Sequence, residues 1–144
     1  MKLIEKDSGI LGSGQGIAYV DGKYYLLSES PAKVCVSENL QNWTEYQLNE
    51  DYLKPKNIVY GNGVFIITGG SSTSADTWFY RSTDGVNWVP IKINTGEAYG
   101  ITSNSVKFIN NRFVALLGIY WYRTIGGKKI KTKTENWFYE STSG

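Results

Sequence analysis

Histidine is absent from the 144 residues, cysteine occurs once and proline three times. Without histidine the chain lacks the commonest general base at neutral pH and the commonest neutral metal ligand. One cysteine allows no internal disulfide, so the chain needs no oxidising compartment. Cys35, set in the apolar run Val34-Cys35-Val36, reads as a small buried hydrophobe. An excess of charge of either sign is missing too. Fifteen basic and 13 acidic residues leave a net +2, which gives no electrostatic case for nucleic acid or a membrane as partner. No apolar run approaches the length of a transmembrane helix. Met1–Asp7 contains no apolar segment of the signal-peptide kind, so synthesis in the cytoplasm is expected and localisation is otherwise open, a virion being one setting.

What is present favours strands. Trp, Tyr and Phe make up 15% of the chain and apolar residues 41%, enough for one domain with a buried core. The segments Ile17–Leu26, Ile58–Ile67 and Val106–Ala115 align with one another. Each has an aromatic near the end of one strand, a turn of Asp21-Gly22, Asn62-Gly63 or Asn110-Asn111, and a second strand led by an aromatic. Asp-Gly and Asn-Gly are strong hairpin signals because both central residues of a type I′ turn need positive φ. Tyr19, Tyr60 and Phe108 lie 41 and 48 residues apart, the period of a propeller blade.

A second motif follows each hairpin. Ser82-Thr83-Asp84-Gly85-Val86-Asn87-Trp88 aligns with Ser37-Glu38-Asn39-Leu40-Gln41-Asn42-Trp43, and the last four residues, from Ser141, align with the start of both. On these residues the chain resembles the Asp-box, or bacterial-neuraminidase-repeat, β-propellers, a repeat style found in sialidases and in phage and bacterial surface proteins. Ser82, Asp84, Gly85 and Trp88 fit the pattern. In the first copy Asn39 replaces Asp and Leu40 replaces Gly. The motif's physical logic is a tight turn between a blade's third and fourth strands. The Ser hydroxyl and Asp carboxylate satisfy turn amides, Gly takes a left-handed conformation and Trp covers the blade edge. Ser37, Asn39, Trp43, Ser82, Asp84, Gly85, Trp88 and Ser141 are therefore expected to be structural.

The fold expected is all-β: three four-stranded antiparallel blades at about residues 16–48, 57–93 and 105–144, in one domain. The third repeat runs out inside its Asp-box, before an outermost strand. Residues 1–6 stand at the repeat position of such a strand and are expected to supply it. Three blades do not close a ring, since propellers have about 4–8. One expectation is a homodimer closing a six-bladed ring, each N-terminal strand completing the partner's last blade. The other is a fragment, or a module that stacks on another protein's blades.

No catalytic residue, metal site or cofactor is read from the sequence. A sialidase resemblance would require an arginine cluster, a Tyr/Glu pair and an Asp. Arg81, Arg112 and Arg123 do not recur where blades would aim them at one axis. Glycoside hydrolysis needs two carboxylates flanking one bond, and the acidic residues are scattered through turns and strands. The main departure from the repeat is Leu117–Asn136, expected as a long hairpin of Gly118–Thr124 and Lys129–Glu135 turning at Gly126-Gly127. A two-residue turn would set Tyr120 opposite Lys133, Tyr122 opposite Lys131 and Thr124 opposite Lys129. Tyr120, Trp121, Tyr122, Arg123, Lys131 and Lys133 are the candidate ligand-binding residues, because rings interleaved with cations can stack on sugar or bind an anionic polymer. The function expected is non-enzymatic: a binding or structural module, tail-associated in a phage or prophage, touching cell-surface glycan. The alternatives are a fragment of a sialidase-like glycoside hydrolase and a purely structural propeller.

Overall fold

The computed structural model describes residues 1–5, 7–10, 12–49, 51, 53–71, 77–93 and 100–141. Among the described residues it has eleven strands and no helix. Blade one is a four-stranded antiparallel sheet of β1 (Gly14–Val20), β2 (Lys23–Glu29), β3 (Ala32–Ser37) and β4 (Thr44–Gln47), paired in chain order. Blade two repeats this with β5 (Lys54–Gly61), β6 (Val64–Ser71), β7 (Thr77–Ser82) and β8 (Val89–Ile93). Blade three has β9 (Gly100–Ile109), β10 (Arg112–Ile125) and β11 (Lys128–Ser141).

The turns follow from the residues that make them. Asp21-Gly22, Asn62-Gly63 and Asn110-Asn111 all have positive φ at both positions, the geometry that matches the twist of the flanking strands. Each turn fixes register, so Tyr19 faces Tyr24, Tyr60 faces Phe65 and Phe108 faces Phe113. The three ring pairs stack at 4.7, 4.6 and 4.8 Å. Each hairpin's second strand then meets a serine at one register position: Tyr24 with Ser37, Phe65 with Ser82 and Phe113 with Ser141.

Side chains alternate across a strand, so every blade has a front face towards the preceding blade and a back face towards the following one. The back face of blade one (Tyr25, Leu27, Val34) and the front face of blade two (Tyr60, Phe65, Ile67) form one core cluster. The back face of blade two (Val59, Ile66, Phe79) and the front face of blade three (Val106, Phe113, Ala115) form the other. Leu27, Ile67 and Leu117 are wholly buried, each worth about 1.5–3 kcal/mol relative to exposure.

Residues 1–5, expected to complete the last blade of a partner copy, carry no strand pairing within this chain, and Lys6 lies outside the described residues. Among the described residues nothing pairs with the outer edge of β11. Two features differ from the sequence reading. The hairpin of blade three is a continuation of β10 and β11, with turn glycines 126 and 127 at positive φ. Its register holds at Tyr122–Lys131 and Thr124–Lys129, but a bulge then sets Trp121 opposite Lys133 and Tyr120 opposite Thr134. The extra residue on β11 shifts every pairing beyond it by one. Finally, Gly70 and Ser71 of β6 pair with Thr102 and Ile101 of β9, joining blades two and three through their backbones.

Candidate functional site

The turn between β3 and β4 and the turn between β7 and β8 share the same serine and Asn/Asp bonds to the turn amides. In blade two the Ser82 hydroxyl accepts from the amides of Asp84 (3.3 Å) and Gly85 (2.9 Å) and donates to Asp84 Oδ1 (2.9 Å). Asp84 Oδ1 accepts from the amides of Val86 (2.9 Å) and Asn87 (2.8 Å), while Oδ2 takes the Asn87 side-chain amide at 2.7 Å. In blade one Ser37 serves the amides of Asn39 and Leu40, and Asn39 Oδ1 those of Gln41 and Asn42. Gly85 has φ +73° and Leu40 φ +61°, so the first copy keeps the geometry with a residue that pays a steric cost for it. The indole N–H groups of Trp43 and Trp88 are both buried with no acceptor among the described residues.

These hydrogen bonds occupy the chemistry of Asp84. The backbone amide of Asn87, then that of Val86, then the Asn87 side chain and the Ser82 hydroxyl hold its carboxyl well below the usual carboxylate range. A carboxylate so satisfied serves as a turn anchor and is a poor proton donor near neutral pH. Ser141 sits at the matching register position in blade three, and residues 142–144 lie outside the described residues.

The strands that would line a propeller axis carry no acid. β1 (GQGIAYV), β5 (KPKNIVYG) and β9 (GITSNSVKFI) contain neither Asp nor Glu. A glycosidase's carboxylate pair cannot be assembled from them. Among the described residues no cluster of three or more His, Cys, Asp or Glu side chains could hold a metal ion. Cys35 is buried, and burial pushes its thiol up despite the opposing pull of Lys33, so it is not poised as a nucleophile.

The hairpin residues Tyr120, Trp121, Tyr122, Arg123, Lys131 and Lys133 are placed by backbone pairing on β10 and β11, while their side chains lie outside the described residues. Two polar features escaped the sequence reading. One is an open depression of about 340 Å³ beside the first rim turn, whose lining includes Lys23, Glu38, Asn42, Thr44 and Tyr46. Its signal lay within the repeat: Lys23, Thr44 and Tyr46 stand where blade two has Val64, Val89 and Ile91. The other is an ion pair in the sheet of blade one, Lys33 Nζ to Glu45 Oε1 at 2.7 Å, with the lysine side chain only 4% exposed.

No family model matches the chain, and no curated protein matches it. Among solved structures it is similar to the Bombyx mori GH32 beta-fructofuranosidase BmSUC1, with TM-score 0.56 and 15% identity, over 92% of this chain and 32% of that one. A point mutant of that enzyme in complex with sucrose gives TM-score 0.55 and 15% identity, with the same coverage. The chain thus spans about a third of the length of these structures. Those enzymes contain a five-bladed β-propeller. At this identity the likeness is one of fold, and it agrees with the antiparallel blades described above. This chain is a set of β-propeller blades, similar in fold to part of a glycoside hydrolase propeller.

Proposed function

We propose that this chain is the carbohydrate-holding part of a propeller of the glycoside hydrolase kind, with the acids for any cleavage supplied by residues outside these three blades. The observation that carries the reading is the fold likeness over 92% of the chain to enzymes named for cleaving a fructofuranoside. The absence of Asp and Glu from β1, β5 and β9 supports the second half of it. This favours the hydrolase-fragment alternative over the tail-associated module, because the phage setting rests on repeat style alone.

The depression beside the first rim turn suits a sugar. Tyr46 supplies an apolar ring face, and Asn42, Thr44, Glu38 and Lys23 supply donors and acceptors for hydroxyl groups. Its volume is that of a small ligand pocket. The test is a glycan array that includes fructans and sucrose, run beside a hydrolysis assay on the same sugars. Binding without hydrolysis, weakened at least about tenfold by Tyr46→Ala, is the expected result; tenfold corresponds to about 1.4 kcal/mol. An array without a single glycan bound would sink the reading. Hydrolysis by these 144 residues alone would overturn the division of labour.

A further inference from the structure

We propose that the exposed part of the front face of blade one, around Ile17, Tyr19 and Leu40, is a docking surface for the back face of blade three from a second copy of this chain. Within the chain the front face of each later blade is covered by the back face of the one before. Phe65 and Phe113, from the aromatic pairs of blades two and three, are buried in this way. The same pair in blade one, Tyr19 with Tyr24, has no blade over it. Tyr19 is 63% exposed and Ile17 beside it 61%. At the other end of the chain, the back face of blade three leaves Ile109 52% exposed.

Two repeat positions argue that these open faces belong together. Where blade one meets blade two, the large Tyr25 lies against Gly85: a Cβ on that glycine would stand 2.4 Å from the ring. At the open faces the sizes are exchanged. Val114 holds the repeat position of Tyr25, and Leu40, exposed at φ +61°, holds that of Gly85. A leucine in a left-handed conformation is costly and would collide with a tyrosine at that place, but a valine leaves it room. At the second position Gly61 meets the ring of Phe108, and Val20 shares a cluster with Tyr60. The open-face counterparts are Ile109 and Tyr19, both exposed. Lys107, standing where Ala18 and Val59 pack, can lay its aliphatic stem on Ile17 and keep its ammonium in water.

The contact is head-to-tail, so two copies joined by two such junctions close a ring of six blades, within the range propellers adopt. Proximity is read by mixing chains carrying Leu40→Cys with chains carrying Val114→Cys under mild oxidation. The mixture should give a disulfide-linked pair, whereas neither variant should do so alone; Cys35 is buried and stays silent. Light scattering should give twice the 16.2 kDa chain mass, falling to 16.2 kDa in Tyr19→Asp with an unchanged circular dichroism spectrum. If Tyr19→Asp fails to fold, Ile17→Lys reads the same face. A wild-type chain that stays at 16.2 kDa across the accessible concentrations overturns the proposal. Equal cross-linking by Leu40→Cys alone overturns it as well, since that pairing would be face-to-face.

Discussion

Gly85 meets Tyr25 across the junction of blades one and two, close enough that a Cβ at position 85 would lie 2.4 Å from Tyr25 Cε1. The rim turn of one blade is thereby seated on the sheet of its neighbour. Gly85→Ala would meet two obstacles, a left-handed φ of +73° and a ring held in place by the core. Left-handed strain costs about 1–2 kcal/mol and overpacking about 1–3 kcal/mol, so a loss of roughly 2–4 kcal/mol is expected. In a thermal melt this should lower Tm by on the order of 10 °C. A melt within about 2 °C of wild type would show that the turn is not seated on Tyr25.

Leu40 predicts opposite results in two assays. Leu40→Gly removes the left-handed penalty but adds freedom to the unfolded chain, for a net gain of about 0.5–1 kcal/mol in the monomer. Urea unfolding in a Tyr19→Asp background, where association does not contribute, should show that gain. In the otherwise wild-type chain the same change should weaken self-association, because the side chain that fills the space beside Val114 is gone. A single direction in both assays would mean that Leu40 is merely tolerated.

Asp84 gives a pH dependence with a definite sign. Its carboxyl is depressed in the folded chain from the ordinary 3.8, chiefly by the amides of Asn87 and Val86. The stabilisation is therefore fully present above 3.8 and is lost as pH falls through the folded value. Urea midpoints for wild type and Asp84→Asn should differ at pH 7 and converge as the pH is lowered towards 2. The asparagine already at position 39 in blade one makes the two equivalent amide bonds without a titrating group, so Asn39 should contribute no such acid limb. Midpoints separated by the same amount at both ends of the range would count against this role.

Ser37 and Ser82 share a role, and each is buried. Replacing either by alanine would remove a cap from two turn amides, at a cost of about 1–2 kcal/mol. Equal losses from both, read by chemical denaturation, would show that the degenerate first copy is held as firmly as the second.

The hairpins were legible because Asp21-Gly22 and Asn62-Gly63 leave one local solution, and that solution fixes the stacking of Tyr19 on Tyr24 and Tyr60 on Phe65. The turn at Asp84 was legible for a similar reason, since short polar side chains compete locally for backbone amides. The register of the long hairpin was only half legible. Around Tyr120–Tyr122 and Lys131–Lys133, polar and aromatic residues fall on both alternating positions, so no apolar face resists a one-residue slip. The pairing of Gly70 and Ser71 with β9 depends on how two blades splay, which no local pattern records. The depression around Tyr46 was hidden because Lys23, Thr44 and Tyr46 differ from Val64, Val89 and Ile91 of blade two without being catalytic types, and a search for catalytic types passes over them.

Lys33 is the last case in which burial and chemistry pull apart. Its side chain is 4% exposed, between Ser28 and Gln47 on the neighbouring strands, and its ion-pair partner Glu45, 2.7 Å away, is 43% exposed. Glu45→Gln would keep the shape but leave the ammonium buried beside a neutral amide. A fully buried pair broken in this way loses about 3–5 kcal/mol, and with Glu45 partly in water about 1–2 kcal/mol is expected. Lys33→Met should instead be neutral or stabilising, because it removes the desolvation penalty together with the charge. In the double variant the effect of Glu45→Gln should vanish, and the thermodynamic cycle would measure the coupling directly. If Lys33→Met destabilises as much as Glu45→Gln, the pair is a net source of stability, and the lysine is kept in blade one for more than its position on β3.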